Sequence, residues 1–230
     1  YSIDDGRTEA YSVPFTMTES GSLVVTSYSS DFSEISLSEP VQINILPSWT
    51  LSITSTGGGT ARLLEEGASF IQGTEVTAKA EAEAGWDFVG WEGDFESSNA
   101  SFKFSVAKAV KLKAVFGTRV NLNAVPPGSG TVQLQPESAL YANGRNYTAQ
   151  AVPSKGYYFR SWSLDDSQLS PVEYTVEEAN LTLTALFLPL AEGDASLTPL
   201  VNGDGFVKVG ADQNVFAAGA KVTLEAVARP

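Results

Sequence analysis

The chain has 230 residues, 43% of them hydrophobic and 18% charged, with 27 acidic against 14 basic side chains for a net charge of −13. That charge repels phosphate backbones and anionic lipid, so neither nucleic acid nor membrane insertion is expected, and no apolar run approaches the roughly 18 residues of a membrane-spanning helix. Cysteine and histidine are both absent, which removes disulfides, thiolate metal sites, the commonest general base and every Ser-His or Cys-His nucleophile. No enzyme activity, cofactor or metal is expected.

Residues 1–47 form the first segment. It opens Tyr1-Ser2-Ile3-Asp4-Asp5-Gly6, without the basic start and apolar stretch of a signal peptide, and is expected to lie inside a longer protein. Strands are predicted near residues 22–28 and 41–45. The junction Pro47-Ser48-Trp49 follows, where Trp49 is expected to wedge between modules.

From there the chain repeats. Gly59-Thr60-Ala61, Gly130-Thr131-Val132 and Gly205-Phe206-Val207 start three copies spaced 71 and 75 residues apart. Each starting glycine is followed by an aromatic at +11 (Phe70, Tyr141, Phe216), a glycine at +14 (Gly73, Gly144, Gly219) and an alanine at +21 (Ala80, Ala151, Ala226). The first two copies continue with Gly85 and Gly156 at +26, Trp91 and Trp162 at +32, and Phe116 and Phe187 at +57. Self-similarity at such a period marks a tandem array. The modules are read as 50–117, 119–188 and a truncated 194–230.

Within each copy side chains alternate with period two, which puts one face of each strand in the core and the other in solvent. In residues 74–82, Val76, Ala78, Ala80 and Ala82 face the core, against Thr77, Lys79 and Glu81. The counterparts are Tyr147, Ala149 and Ala151, then Val222, Leu224, Ala226 and Ala228. The closing strand carries Val110, Leu112, Ala114 and Phe116 against Lys111 and Lys113, and its second copy Leu181, Leu183, Ala185 and Phe187. Gly57-Gly58-Gly59, Pro126-Pro127-Gly128 and Asn202-Gly203-Asp204-Gly205 supply the turns. No helix of ten residues is predicted. Residues 171–179, with β-branched Val172, Thr175 and Val176, read as a strand. The expected fold is all-β, a series of small antiparallel modules, each a sandwich or a β-grasp-like sheet.

Gly85-Trp86-Asp87-Phe88-Val89-Gly90-Trp91 and Gly156-Tyr157-Tyr158-Phe159-Arg160-Ser161-Trp162, each followed by a closing strand ending in Ala-x-Phe, resemble the divergent internalin-type B-repeat of bacterial surface proteins. The resemblance implies an extracellular or cell-surface stalk, spacer, fibre or adhesin segment with no catalytic residues. Residues 1–47, through Pro14-Phe15-Thr16-Met17-Thr18 and Ser33-Glu34-Ile35, resemble the latter part of a chitobiase/β-hexosaminidase C-terminal-type module, which is immunoglobulin-like. The other reading aligns Tyr1-Ser2-Ile3-Asp4-Asp5 with Trp162-Ser163-Leu164-Asp165-Asp166 and makes the segment the second half of a repeat. The chitobiase resemblance keeps a carbohydrate-binding accessory region as the alternative function. Neighbouring modules or subunits, joined head to tail by strand pairing, are the expected partners, with cell-surface polysaccharide the other candidate.

Trp86 and Tyr157 are the candidate ligand-facing aromatics, because exposed rings stack on sugars, whereas Trp91 and Trp162 are expected in the core. The acidic pairs Asp4-Asp5 and Asp165-Asp166, and Asp194 with Asn202 and Asp204, lack the spacing of a calcium loop and are read as turn residues. The Asn-x-Ser/Thr triplets at Asn99, Asn146 and Asn180 are assigned no role.

Overall fold

The computed structural model describes residues 1–4, 9–168, 170–200, 205–210 and 213–228. Among them every regular element is a strand. The chain divides into two compact units: Tyr1–Leu51 with Glu66–Val76 and Phe104–Val110, and Ser52–Glu65 with Thr77–Lys103 and Lys111–Pro230.

In the first unit β1 (Ser2–Ile3), β2 (Gly21–Val24), β3 (Thr26–Tyr28), β4 (Ile35–Leu37) and β5 (Val41–Ile43) precede the repeats. β2 lies antiparallel between β1 and β5, and β3 pairs with β4 as a separate hairpin. The strand predicted over 22–28 is thus broken at Val25, whose N–H donates to Ser38 Oγ at 2.9 Å rather than to a ladder partner. No described side chain of residues 1–47 is fully buried.

The first repeat comprises β6 (Ser48–Thr56), β7 (Gly59–Leu63), β8 (Ser69–Ile71), β9 (Glu75–Ala82), β10 (Asp87–Gly93), β11 (Ser101–Ser105) and β12 (Val110–Thr118). β12 lies between β10 and β6, and β9 between β11 and β7. The start of β6 lies in the first unit, where partly covered Trp49 stands opposite Phe70 of β8. Val76, Ala78, Ala80, Leu112, Ala114 and Phe116 are buried, as alternation requires, but Ala82 at the strand end is exposed. Thr77 departs from the expected solvent face and is only 9% exposed. The reason is local: its N–H and Oγ1 both donate to the Glu65 carboxylate, at 2.7 and 3.0 Å, which covers it.

The second repeat comprises β13 (Asn121–Val125), β14 (Gly130–Gln135), β15 (Tyr141–Ala142), β16 (Asn146–Pro153), β17 (Tyr157–Trp162), β18 (Val172–Thr175) and β19 (Thr182–Pro189). Its sheets have the orders β13-β19-β17 and β14-β16-β18. The first and last strands, β13 and β19, run parallel. Both sheets feed one core of Leu134, Tyr147, Ala149, Phe159, Trp162 and Phe187, among others. Two three-stranded sheets over a shared core make the second module a small sandwich, and no described helix fills the second layer that a β-grasp needs.

Beyond these lie β20 (Asp194–Ser196), β21 (Gly205–Val209), β22 (Val215–Ala217) and β23 (Leu224–Ala228), paired as β20 with β22 and β21 with β23. The hairpin register is common to all three copies: Gly59 faces Ala82, Gly130 faces Pro153 and Gly205 faces Ala228. The third copy departs from the expected core face, however. Leu224 is half exposed, Ala226 and Ala228 are exposed, and only Val222 of the four is partly covered; beside the hairpin the described strands of this copy form only the two-stranded pair of β20 and β22. The turns between the strands rest on repeated glycines. At +14 Gly73, Gly144 and Gly219 all have positive φ, near 91°, 71° and 86°, a region that costs a side-chain-bearing residue about 1–2 kcal/mol.

Candidate functional site

The two aromatics singled out in the repeats are half-buried. Each follows a left-handed glycine, Gly85 (φ 85°) or Gly156 (φ 84°), that closes a turn by a backbone bond, Trp86 N–H to Glu83 O and Tyr157 N–H to Ser154 O, both 3.1 Å. Trp86 packs against Gly58, where an added Cβ would fall 2.1 Å from the indole. Tyr157 packs against the second core. Each ring is therefore committed to its own module, and Trp91 and Trp162 are 2% and 3% exposed.

Among the described residues the exposed aromatics, Tyr11, Phe15, Tyr28 and Phe32, stand in residues 1–37, which the repeat pattern does not reach. A groove of about 580 Å³ is lined by Tyr1, Glu9, Tyr11, Phe15, Tyr28 and Phe32. Tyr1 stacks on Phe15 with centroids 4.4 Å apart, and its hydroxyl donates to Glu9 at 3.2 Å. Phe32 has a φ of 60° and is 76% exposed. The turn holding it is tied by Asp31, whose Oδ1 accepts from Ser33 Oγ and Ser29 Oγ, both at 2.7 Å, and from the Ser33 N–H at 3.1 Å. Those bonds, from Ser33 first and Ser29 next, lower the Asp31 pKa to about 2.

The acidic residues do turn work. Asp4 Oδ1 accepts the Ser22 N–H at 2.6 Å and Asp165 Oδ1 the Ser167 N–H at 3.0 Å. Asp5, Asn202 and Asp204 lie outside the described residues. Among the described residues no three acidic side chains gather around a common metal position.

A polar cluster lies in the second unit, where the first repeat meets the second. β12 pairs with β10 and then, at Gly117 and Thr118, with Ala142 and Tyr141 of β15. Thr118 is fully buried. Its Oγ1 donates to Gly85 O at 2.8 Å and accepts the Asn180 N–H at 2.9 Å, so one hydroxyl bonds to both repeats. Asn143 does the same: Oδ1 accepts from Thr56 Oγ1 at 2.9 Å, Nδ2 donates to Val176 O at 3.1 Å, and the backbone N–H donates to Phe116 O at 3.0 Å. On the surface Glu92 takes Lys113 at 2.7 Å from its own repeat and Arg145 from the next. Glycines permit the approach: a Cβ at Gly57 would lie 3.0 Å from Asn143 Cβ, and one at Gly85 2.6 Å from Asn180 Nδ2. Module bounds of 50–117 and 119–188 do not convey this, because alternation reports only the face of a strand turned to its own core.

The Lys113 hydrogen bond, opposed by partial desolvation and aided by Arg145, holds the Glu92 pKa below its ordinary 4.5. The backbone bond from Thr77 does so for Glu65. A carboxylate with a lowered folded pKa adds stability that is complete above the unfolded value and lost as pH falls through the folded one. Acid also relieves the repulsion of the −13 charge, so the variant difference is the informative quantity. Between about pH 5 and 3 the melting midpoint of Glu92→Gln should fall less steeply than that of the unchanged chain, by thermal scans in matched buffers.

These observations define a tandem all-β repeat protein whose copies share one hairpin register and whose first two modules pair strand to strand. The sequence model of the divergent InlB B-repeat domain matches two consecutive copies, residues 49–119 and 120–190, more than half of the chain. The chain belongs to that family. No curated protein matches it at a significant level.

Proposed function

We propose that this chain is a non-catalytic spacer or stalk segment on the outside of a bacterial cell, part of a larger surface or secreted protein, with neighbouring modules as its partners. The observation that carries this reading is the passage of β12 out of one repeat and into the ladder of the next, through fully buried Thr118. A flexible linker would let the modules swing. A shared strand with side-chain bonds on both sides fixes their spacing and angle, which is what a spacer needs. The lack of histidine and cysteine, and the use of Asp4 and Asp165 in turns, supports a role without chemistry.

A second reading, a carbohydrate-binding accessory region, is favoured by the groove of residues 1–37, whose exposed rings beside the Glu9 carboxylate suit the apolar face and hydroxyls of a sugar. Pull-down with insoluble polysaccharides and a glycan array, using the full chain, separates the two. The spacer reading expects no saturable binding. Saturable binding lost in Phe32→Ala would establish the second reading, and binding lost instead in Trp86→Ala or Tyr157→Ala would return the site to the repeats.

A further inference from the structure

We propose that Thr118 and Asn143 clamp the first two repeats into one cooperatively folding unit, a coupling that the chain does not repeat at its next junction. Tandem modules on short linkers ordinarily melt one at a time, each about its own core. Here the boundary between cores is itself a buried ladder. The last two residues of β12 pair with β15, and the hydroxyl of Thr118 and the amide of Asn143 each bond on both sides.

Opening the second repeat therefore strands groups of the first. Asn180 and Ala142 would leave, taking the N–H donor to Thr118 Oγ1 and the ladder partner of Gly117, while the Oγ1 bond to Gly85 O stays in the first repeat. A buried polar group without its partner is costly. The two repeats open together when that cost exceeds what local opening saves.

The next junction supplies the internal comparison. Counting from the starting glycine of each copy, Thr118 corresponds to Pro189, Asn143 to Ala218 and Arg145 to Ala220. Proline has neither hydroxyl nor N–H, and alanine has no polar side chain. The backbone bond survives, as Ala218 N–H to Gly193 O at 2.9 Å. The side-chain bonds do not, and their place is taken by different ones: Gln150 Nε2 to Pro199 O, and Asn214 Nδ2 to Phe159 O and Gln168 O. The inference shares with the spacer reading the observation of this junction, but it concerns folding cooperativity and does not depend on where or for what the chain is used.

Native-state amide exchange on the full chain, read by NMR, tests it. Trp162→Phe, with Phe187→Leu as a second variant should the first fail to fold, loosens the second core. The slowest amides of β16 and β19 should exchange about tenfold faster or more, and those of β7 and β10 in the first repeat should accelerate by a similar factor. Adding Thr118→Val and Asn143→Ala should abolish the response in the first repeat while leaving it in the second. Unchanged exchange in β7 and β10 would overturn the coupling, and a response that persists in the triple variant would overturn its assignment to Thr118 and Asn143.

Discussion

Replacing Trp91 or Trp162 by alanine is expected to lower the unfolding free energy by about 3–5 kcal/mol, the range for deleting a large buried aromatic. Both indoles are almost wholly out of water, and each sits in an aromatic cluster: Trp91 with Phe88 and Phe102 at 5.8 and 5.7 Å, Trp162 with Phe159 at 5.2 Å. Trp91 also donates from Nε1 to Asn99 O at 3.1 Å, so alanine leaves that carbonyl unpaired as well as leaving a cavity. Denaturant titration by circular dichroism measures the change. Midpoints equal to those of the unchanged chain in both variants would contradict the placement of these rings in the core.

The second large effect is expected from the smallest side chain. A Cβ at Gly59 would fall 2.4 Å from the Phe116 ring, and one at Gly130 2.4 Å from the Phe187 ring. Phe116 is fully buried and Phe187 1% exposed, so neither ring has room to withdraw. Gly59→Ala and Gly130→Ala should each destabilise by about 1–3 kcal/mol, the cost of overpacking a closed core. The cause is steric, which makes a rescue possible: Phe116→Leu should cost less in the Gly59→Ala background than in the unchanged chain. Additive costs in that double-mutant cycle would show that the methyl and the ring do not meet.

That pair also marks how far the sequence could be read. The glycine that starts each copy and the phenylalanine at +57 are both visible as repeated letters, and alternation puts Phe116 and Phe187 in the core. Nothing in the letters says that the ring lies across the glycine, because the contact joins the two sheets and period two describes one strand at a time. The same limit explains Thr77, whose position in the alternation is polar while the Glu65 carboxylate covers it. It explains Thr118 too. A threonine at the end of a strand reads as an exposed cap until the next repeat is laid against it. Residues 1–37 are hard to read for another reason: with no second copy to compare, Tyr11, Phe15, Tyr28 and Phe32 carry no periodic signal, whereas Trp86 and Tyr157 stand at one repeated position and are half-buried. The third copy shows the converse. Its letters predict a core face at Leu224 and Ala226, and the hairpin register is kept, but beside that hairpin the described strands of this copy form only the two-stranded pair of β20 and β22, and Leu224 and Ala226 stay exposed.

A spacer requires a fixed relation between the first two repeats, and residual dipolar couplings measure that relation directly. In weakly aligned full-length chain, amides of β7 and β10 report the alignment of the first repeat, and amides of β14, β16, β17 and β19 that of the second. A junction built on a shared strand predicts that one alignment tensor fits both sets together, with the same magnitude and orientation. Two tensors of different magnitude, each fitting only its own repeat, would mean that the modules swing about residues 117–120, and would contradict both the spacer reading and the junction on which it stands.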